Sequence, residues 1–228
     1  MNVLHLVIAE SSLETVPKEI ADHPIIQRDA WRRRRDPSKI ILDRSRHHEA
    51  MTRLEDSHKR GRPDIVYLTL QVTQYTPLNV IGMLRTYIHT INDYLIYIKP
   101  QTRIPHNYNN FIGLFEQLFE IGRVPPQGEP LIWLERGKIR TLLDKIRPDI
   151  VFLLDDVKGR ESSFREFATR LLTYDEPCII VGGFPHGSFS EDTYSIANEI
   201  VRLGKHRYTT LVITAKLLTH IESILNIE

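Results

Sequence analysis

A glycine-rich segment that follows an apolar run is the clearest ligand-binding candidate in this chain. Residues 178–181, Cys-Ile-Ile-Val, are typical of a buried strand, and Gly182, Gly183 and Gly187 follow at once. Glycine lets the backbone approach a ligand closely, and open α/β sheets bind small molecules at the carboxyl ends of their strands. Taken alone, the segment favours a simple tight turn, but it is the first place to expect a cofactor loop.

The spacing of these glycines argues against two common nucleotide-binding loops. The pattern is G-G-x-x-x-G rather than G-x-G-x-x-G, and Val201, Arg202 and Leu203 stand where a dinucleotide-binding loop needs an acidic residue. Ser188 follows Gly187 where a phosphate-binding P-loop has lysine. We expect the loop to hold a ligand other than a pyrophosphate.

A second candidate combines an arginine with a carboxylate. Arg62 and Asp64 are two residues apart at the start of a predicted strand, 64–71, so their side chains are expected to share one face. A carboxylate in that position can hold a guanidinium fork for recognition of a phosphate or a base edge. Taken alone, the spacing favours a structural ion pair over a recognition site.

The segment 103–110 is a third candidate, because it begins with Arg103 and ends at a predicted helix start. A helix N-terminus offers free N–H groups and the positive end of the helix dipole, and both favour phosphate. Helix capping by Asn107 or Asn109 explains part of the same pattern.

Positive charge is concentrated in one segment of the chain. The net charge is +1, whereas residues 28–62 contain twelve Lys or Arg and six Asp or Glu. The densest part is Trp31 followed by the run Arg32, Arg33, Arg34 and Arg35. Such a cluster can neutralise phosphates of nucleic acid, and a solvated charged face is an equal alternative.

Several other kinds of site find no support in the sequence. The ten histidines lack metal-ligand spacing, so no metal is predicted, and no G-x-S-x-G marks a serine nucleophile. The single cysteine, Cys178, is expected to be an inert core thiol in a reducing compartment. Residues 1–9 read as a strand rather than a signal peptide, and no membrane span is expected.

Strand-like and helix-like segments alternate along the chain, which predicts an α/β protein. Further strands are predicted at 39–43, 131–134, 150–154 and 199–203, with a hairpin formed by 87–90 and 94–98. Helices are predicted at 44–60, from 77, from 107 or 109 to 121, and at 138–146, 163–172 and 210–225. The last helix is apolar on more than one face, which favours burial against a second subunit.

Several stretches taken together resemble a known family. They are 60–66 (RGRPDIV), 76–79 (TPLN), 87–90 (YIHT), 103–109 (RIPHNYN), 111–118 (FIGLFEQL) and the 182–187 loop. In this order they resemble the small-subunit ribosomal RNA pseudouridine N1-methyltransferases of the SPOUT class, a ribosome-biogenesis family. The resemblance covers nearly the whole chain.

The resemblance implies a SPOUT-type trefoil-knotted α/β fold, with a mostly parallel sheet flanked by helices and a family-specific insertion in the first half. It implies a single domain over 1–228, with an RNA-facing half at 1–122 and a cofactor-binding knot half at 131–228. It also implies a cytoplasmic homodimer that uses S-adenosyl-L-methionine and has small-subunit rRNA as its partner.

The same resemblance, carried over by position, implies the site residues. Three loops would bind the cofactor, and they contain Leu154; Gly182, Gly187 and Ser188; and Leu203, Gly204, Lys205, His206, Arg207 and Tyr208. The residues that would contact RNA are Arg62, Arg103, His106 and Asn110. Arg62 and Asp64 would act in catalysis, with Asp64 fixing Arg62. Family members often carry arginine where His106 and Asn110 stand, so phosphate contacts there are expected to be weaker or supplied by the 32–35 run.

The implied reaction is methyl transfer to N1 of an unstacked pseudouridine, promoted mainly by in-line positioning. The proton acceptor stays open, because pairing with Arg62 would make Asp64 a poor base. The alternatives are a non-catalytic rRNA-binding ribosome assembly factor and a methyltransferase of the same class that acts on transfer RNA.

Overall fold

The computed structural model describes residues 1–227, in which one nine-stranded sheet carries helices on both faces. The strands are β1 Leu4–Ser11, β2 Leu84–Thr90, β3 Tyr94–Ile98, β4 Arg123–Val124, β5 Ile132–Arg136, β6 Ile150–Leu154, β7 Arg160–Ser162, β8 Pro177–Gly182 and β9 Glu199–Leu203. The helices are α1 Pro24–Arg33, α2 Arg44–Met51, α3 Pro63–Thr73, α4 Pro77–Val80, α5 Tyr108–Ile121, α6 Ile139–Ile146, α7 Phe164–Leu171, α8 Glu191–Ser195 and α9 Thr210–Leu225.

The strand order across the sheet is β4-β5-β3-β2-β1-β8-β6-β9-β7. The strands from β2 through β1, β8, β6 and β9 to β7 are parallel, and β3, β5 and β4 extend the sheet in antiparallel pairs. The predicted α/β fold with a mostly parallel sheet is therefore confirmed, as is the β2–β3 hairpin. Because parallel strands end at the same edge, the carboxyl ends of β1, β8, β6 and β9 open onto one rim.

The central strand β1 supplies apolar side chains to both layers. Leu6 and Ile8 pack in one cluster with residues of α3, α5, α7 and α9. Val7 and Ala9 pack in a second cluster on the other face, with residues of α6. A third, smaller cluster joins α1 to α2. The basic segment, residues 28–62, therefore packs on its own hydrophobic cluster beside the main core.

The prediction of a strand at 64–71 is wrong, since these residues form most of α3. Pro63 occupies the first helical position and Asp64 lies in the first turn, where its charge suits the helix dipole. Val66 and Leu70 are buried at helical spacing. These local signals outweigh the β-branched and aromatic composition that suggested a strand.

The predicted strand at 39–43 is also wrong. This part of the chain holds a short 3₁₀ turn, Pro37–Lys39, and an isolated bridge at Ile41. Asp36 and Asp43 each accept a hydrogen bond from the backbone N–H two residues later. Such local bonds compete with strand pairing and favour turns.

Other predicted elements agree with the structure or differ only in length. Helix α2 ends at Met51 rather than at residue 60, and α1 ends within the 32–35 run, at Arg33. Helices α5 and α9 match the prediction. Asn107 caps α5 through the backbone N–H groups of the two residues after Tyr108, and Gly122 ends the helix at a φ of 85°.

Candidate functional site

A cleft of about 170 Å³ opens at the carboxyl ends of β6 and β8. Of the residues predicted to bind a cofactor, Leu154, Gly182, Gly187 and Tyr208 line this cleft. The lining also includes Asp155, Asp156, Val181, Phe184, Pro185, His186, Phe189, Thr210 and Ile213. The structure therefore brings together residues of all three predicted loops at one place on the rim.

Backbone contacts hold the glycine loop in position. The N–H of Gly183 donates to the carbonyl of Ala9 at 2.7 Å, and the N–H of Ser12 donates to the carbonyl of Gly183 at 2.9 Å. A Cβ at Gly183 would lie 2.7 Å from the Cα of Ser11, so only glycine fits without displacing backbone. Gly187 has a φ of 104°, which also favours glycine.

The loop after β9 contributes an aromatic ring to the lining of the cleft, and its charged side chains do not line the cleft. Tyr208 reaches the cleft, and its ring packs edge-on against Phe164 at 5.7 Å between centroids. Gly204 has a φ of 71° and donates its N–H to the carbonyl of Ser162 at 2.9 Å. Arg207 lies outside the lining.

The remaining predicted cofactor residues stand beside the cleft without lining it. Leu203 is buried at the end of β9, whereas Ser188, Lys205 and His206 are exposed to solvent. Arg207 is 82% exposed, and its Nε lies 3.0 Å from Oδ2 of Asp156. Their proposed contacts with cofactor stay predictions.

Two acidic residues at the end of β6 belong to the cleft but were missed from the sequence. Asp155 accepts a hydrogen bond from the Tyr194 hydroxyl at 2.7 Å, and Asp156 pairs with Arg207. Burial, followed by the hydrogen bond to Asp155, raises the pKa of Tyr194 to about 12, so its hydroxyl stays a donor. The available signal was a pair of carboxylates directly after a buried strand.

A second cleft, of about 350 Å³, contains the predicted arginine–carboxylate pair. Nε and Nη2 of Arg62 each donate to a different oxygen of Asp64, both at 2.8 Å. The hydrogen bonds that Arg62 donates to Asp64 raise the pKa of Arg62, which keeps the guanidinium charged. The pair is held at the start of α3, with Arg62 as the residue before the helix, rather than along a strand.

The walls of this second cleft come from α2, α3 and α5. They include Asp43, Ser45, Tyr67, Leu68 and Tyr108. The Tyr108 hydroxyl donates to Oδ2 of Asp43 at 2.8 Å, and burial and that neighbouring carboxylate raise the pKa of Tyr108. The phenol is therefore neutral, and its hydroxyl is fixed by Asp43 in the wall of the cleft.

The other predicted RNA contacts lie close to this cleft and are exposed to solvent. The Tyr67 hydroxyl donates to the backbone carbonyl of His106. The imidazole ring of His106 stacks on the ring of Tyr75, with 4.9 Å between the ring centroids. Asn110 is in the first turn of α5. Arg103 is exposed in the loop that precedes His106. The rings of Tyr67 and Tyr108 and the start of α3 therefore share the cleft with Arg62.

One basic segment touches the loops of the first cleft and continues into the second. A Cβ at Gly187 would lie 3.1 Å from Cε of Lys59, and Nζ of Lys59 lies 4.5 Å from the centre of the Phe184 ring. Lys59 is three residues before Arg62. The two clefts share no lining residue, but residues 58–62 connect them.

Lys59 is itself fixed by a buried carboxylate at the end of β1. Its Nζ lies 2.9 Å from Oε2 of Glu10, and Oε1 of Glu10 accepts hydrogen bonds from Ser190 and Thr193, each at 2.8 Å. Burial alone would raise the pKa of Glu10, but these bonds hold it below its ordinary value. A charged Glu10 therefore orients the segment that joins the clefts.

Residues 1–227 contain no metal-ion cluster and no membrane-spanning helix, and their cysteine is buried. In that range no group of three or more His, Cys, Asp or Glu side chains is arranged to hold a metal ion. No helix there is both long and apolar enough to cross a membrane. Cys178 is buried in β8, and burial raises the pKa of its thiol, so it is not a poised nucleophile.

Comparisons with known proteins point to one family. A family model described as EMG1/NEP1 methyltransferase matches residues 6–222. The chain is 48% identical over 202 residues to the ribosomal RNA small subunit methyltransferase Nep1 of Pyrobaculum neutrophilum, covering 85% of this chain and 89% of that one. It is 47% identical over 190 residues to the protein of the same name from Thermococcus onnurineus, covering 83% and 86%.

A solved structure is similar over nearly the full length. The crystal structure of Archaeoglobus fulgidus Nep1 bound to S-adenosylhomocysteine matches with a TM-score of 0.86 and 36% sequence identity. The match covers 99% of this chain and 100% of that one.

Proposed function

This chain belongs to the EMG1/NEP1 methyltransferase family, and on that premise we propose that it methylates small-subunit ribosomal RNA with S-adenosyl-L-methionine during ribosome biogenesis. The observation that carries the proposal is the glycine-lined cleft at the rim of the parallel sheet. A relative that matches along the whole chain is bound to S-adenosylhomocysteine, the product of the methyl donor.

The residues of the first cleft fit such a donor. The donor supplies a methyl group on a positively charged sulfur. Asp155 and Asp156 provide negative charge beside the cleft, and Tyr208 and Phe184 provide rings. Gly183 keeps the loop backbone against β1, which leaves its polar groups in fixed positions for a ligand. We assign binding of the donor to this cleft.

The second cleft suits the RNA. Arg62 offers a charged fork that Asp64 holds rigid. The backbone of His106 is hydrogen-bonded to Tyr67 in the cleft wall, Asn110 follows the wall residue Tyr108 by two positions, and Arg103 is exposed in the same loop, which supports their assignment to RNA. The target is N1 of a pseudouridine, which must leave its stack to reach the enzyme. Both carboxylate oxygens of Asp64 already accept bonds from Arg62, so Asp64 acts by positioning Arg62, and the proton from N1 leaves to another acceptor.

We further propose that the protein is a homodimer, that residues 131–228 contain a trefoil knot, and that the first half of the chain contains an insertion. Leu68, Val80 and Ile81 expose apolar side chains, and Val212 of α9 is 37% exposed, which supports burial by a second copy. The structural match to a family member along nearly the full chain supports the knot that the resemblance implies. The α1–α2 cluster supports the insertion. The cytoplasm, where ribosomes are completed, is the expected location.

The test is methyl transfer from labelled S-adenosyl-L-methionine to an rRNA hairpin that contains pseudouridine. The matched substrate is the same hairpin with uridine at that position. We expect label only in the pseudouridine hairpin. Equal transfer to both hairpins would contradict the choice of N1 of pseudouridine, and transfer to neither, with no cofactor binding by calorimetry, would favour a non-catalytic assembly factor.

A further inference from the structure

The run of arginines at 32–35 divides into two chemically different pairs. Arg33 and Arg35 both approach Glu116, a carboxylate that is 1% exposed on α5, at 2.7 and 3.5 Å. Arg32 and Arg34 are exposed, and no carboxylate in residues 1–227 lies within 4 Å of either. One pair therefore fastens α1 to α5, and the other pair has its charge available to a partner.

Arg32 belongs to a third cleft, of about 370 Å³, between α1 and α2. Arg28, Arg32 and Arg46 line it together with Asp29 and Ile25. Arg28 and Arg32 are four residues apart, so they stand on the same side of α1. The cleft therefore carries an excess of positive charge, and guanidinium groups are well suited to phosphate.

Beside this cleft stands the most exposed large apolar side chain of the described residues. Trp31 is 80% exposed. It lies three residues after Arg28 and next to Arg32, so its ring is at the edge of the same surface. A solvent-exposed indole beside arginines can stack on an unstacked base. Proteins that bind single-stranded nucleic acid commonly use aromatic rings in this way.

The negative charge in the cleft is already engaged. Oδ2 of Asp29 lies 3.2 Å from Nε2 of His47, and the Nδ1 of His47 accepts the backbone N–H of Asp43 at 3.1 Å. Nε2 of this neutral ring therefore donates to Asp29. Because Asp43 also accepts from Tyr108 in the Arg62 cleft, one chain of hydrogen bonds fixes α1 relative to that cleft.

The first turn of α2 connects the Arg62 cleft to the cleft between α1 and α2. Ser45 lines the Arg62 cleft, and its neighbour Arg46 lines the cleft on α1. Nη2 of Arg46 also donates to Oδ1 of Asn109 at 3.1 Å, beside the predicted RNA contact Asn110. The polar surface from Arg62 to Arg32 is thus continuous.

We propose that this α1–α2 surface, formed by Arg28, Trp31, Arg32 and Arg46, binds single-stranded RNA that flanks the target nucleotide. The arginines hold backbone phosphates, and Trp31 stacks on one base. The proposal rests on the proposed function for the choice of RNA, but it concerns a surface apart from the Arg62 cleft. Such a surface would supply charge near His106 and Asn110.

The test compares two RNAs and three variants of the full chain. One RNA is an rRNA hairpin with pseudouridine in its loop and unpaired flanks, and the other is the same hairpin without flanks. The variants are Arg28→Ala/Arg32→Ala, Trp31→Ala and Trp31→Phe. Arg140→Ala/Arg147→Ala is the matched control, since it removes two exposed charges at α6, on the opposite face of the sheet.

Binding of the flanked hairpin is measured over a range of salt concentrations. For Arg28→Ala/Arg32→Ala we expect the slope of log affinity against log salt to fall by about 1.5, since each phosphate contact contributes about 0.7 to 0.9. For Trp31→Ala we expect about tenfold weaker binding, with Trp31→Phe close to wild type because a ring still stacks. kcat at saturating RNA and the affinity for S-adenosylhomocysteine stay unchanged.

The outcomes separate this surface from the proposed reaction. Wild-type affinity and slope in Arg28→Ala/Arg32→Ala, with methyl transfer intact, would overturn the inference and leave the proposed function standing. An equal loss in the Arg140→Ala/Arg147→Ala control would also overturn it. Absence of methyl transfer by the wild-type chain, with the slope still lowered only in the α1 variant, would instead contradict the proposed function.

Discussion

The first cleft, which we assign to the cofactor and call the cofactor cleft, and the Arg62 cleft are built in different ways. Backbone turns at strand ends form most of the first, and Gly183 and Gly187 are needed there because of space and φ. Charged and aromatic side chains at helix starts form the second, with Arg62 and Asp64 at its centre. A small ligand of fixed shape can be held by rigid backbone, whereas RNA needs charges and rings that project from the surface.

Gly183→Ala should produce the largest effect on the cofactor cleft. Its added Cβ would lie 2.7 Å from the Cα of Ser11, so the loop must move away from β1. We expect affinity for S-adenosylhomocysteine to fall about 10- to 100-fold, as overpacking that costs about 1–3 kcal/mol would produce. Calorimetric titration measures this.

Gly113→Ala is the matched control for that change. Gly113 lies inside α5 and an added Cβ there meets no atom within 4 Å. The free energy of unfolding should rise by about 0.5–1 kcal/mol, with cofactor affinity unchanged. Wild-type affinity in Gly183→Ala would show that the cleft does not depend on its backbone, and the comparison would fail.

Arg62→Lys should have the next largest effect, and it concerns side-chain geometry. Lysine keeps the positive charge but cannot donate two parallel hydrogen bonds to Asp64. We expect kcat/KM for RNA methylation to fall about tenfold or more, with unchanged affinity for S-adenosylhomocysteine. Arg53→Lys, at an exposed arginine of the same basic segment, is the control. A parallel loss of cofactor affinity would mean that the two clefts are not built independently.

The cofactor cleft was the easier of the two to predict from sequence, for a physical reason. A buried apolar run followed by glycine is a local pattern, and the rim of a parallel sheet follows from it. The final helix 210–225 and the strand 199–203 were found in the same way. Asp155 and Asp156 were missed because carboxylates after a strand are too common to be distinctive without the neighbouring loops.

The Arg62 region was harder because its structure depends on contacts distant in sequence. The pairing of Arg62 with Asp64 was expected, but the strand assigned to 64–71 is a helix. The division of the 32–35 run depends on Glu116, about 80 residues away, which no local pattern reveals. The resemblance to a family supplied the cofactor and the RNA, and neither followed from composition.

Acidification should weaken the folded state through buried histidines. Burial lowers the pKa of His5, His47 and His89 below the ordinary 6.5, against the opposing effect of nearby carboxylates. Below about pH 6.5 the unfolded chain then binds more protons than the folded chain, so stability falls as pH decreases. Each histidine can contribute at most about 1.4 kcal/mol per pH unit, and only between its lowered pKa in the folded state and the ordinary value of 6.5. Denaturant unfolding between pH 7.5 and 5 measures it.

His47→Gln sharpens this test for the region of α1 and α2, because His47 connects α1 to Asp43 and is faced by Asp29 and Arg46. The variant should lose part of the pH dependence between 7.5 and 5. His48→Gln, at the exposed neighbouring residue, is the control and should keep it. Identical pH profiles for both variants would contradict a role for His47.

Arg207→Ala should have the smallest effect. The side chain of Arg207 is 82% exposed and pairs with Asp156, which is 40% exposed, and surface pairs of this kind contribute about 0–1 kcal/mol. Affinity for S-adenosylhomocysteine should therefore change by less than about fivefold in calorimetry. A tenfold or larger loss would mean that the guanidinium touches the ligand directly. The cofactor cleft would then rely on side-chain charge, as the Arg62 cleft does. The glycine loop would be the one remaining difference in how the two clefts are built.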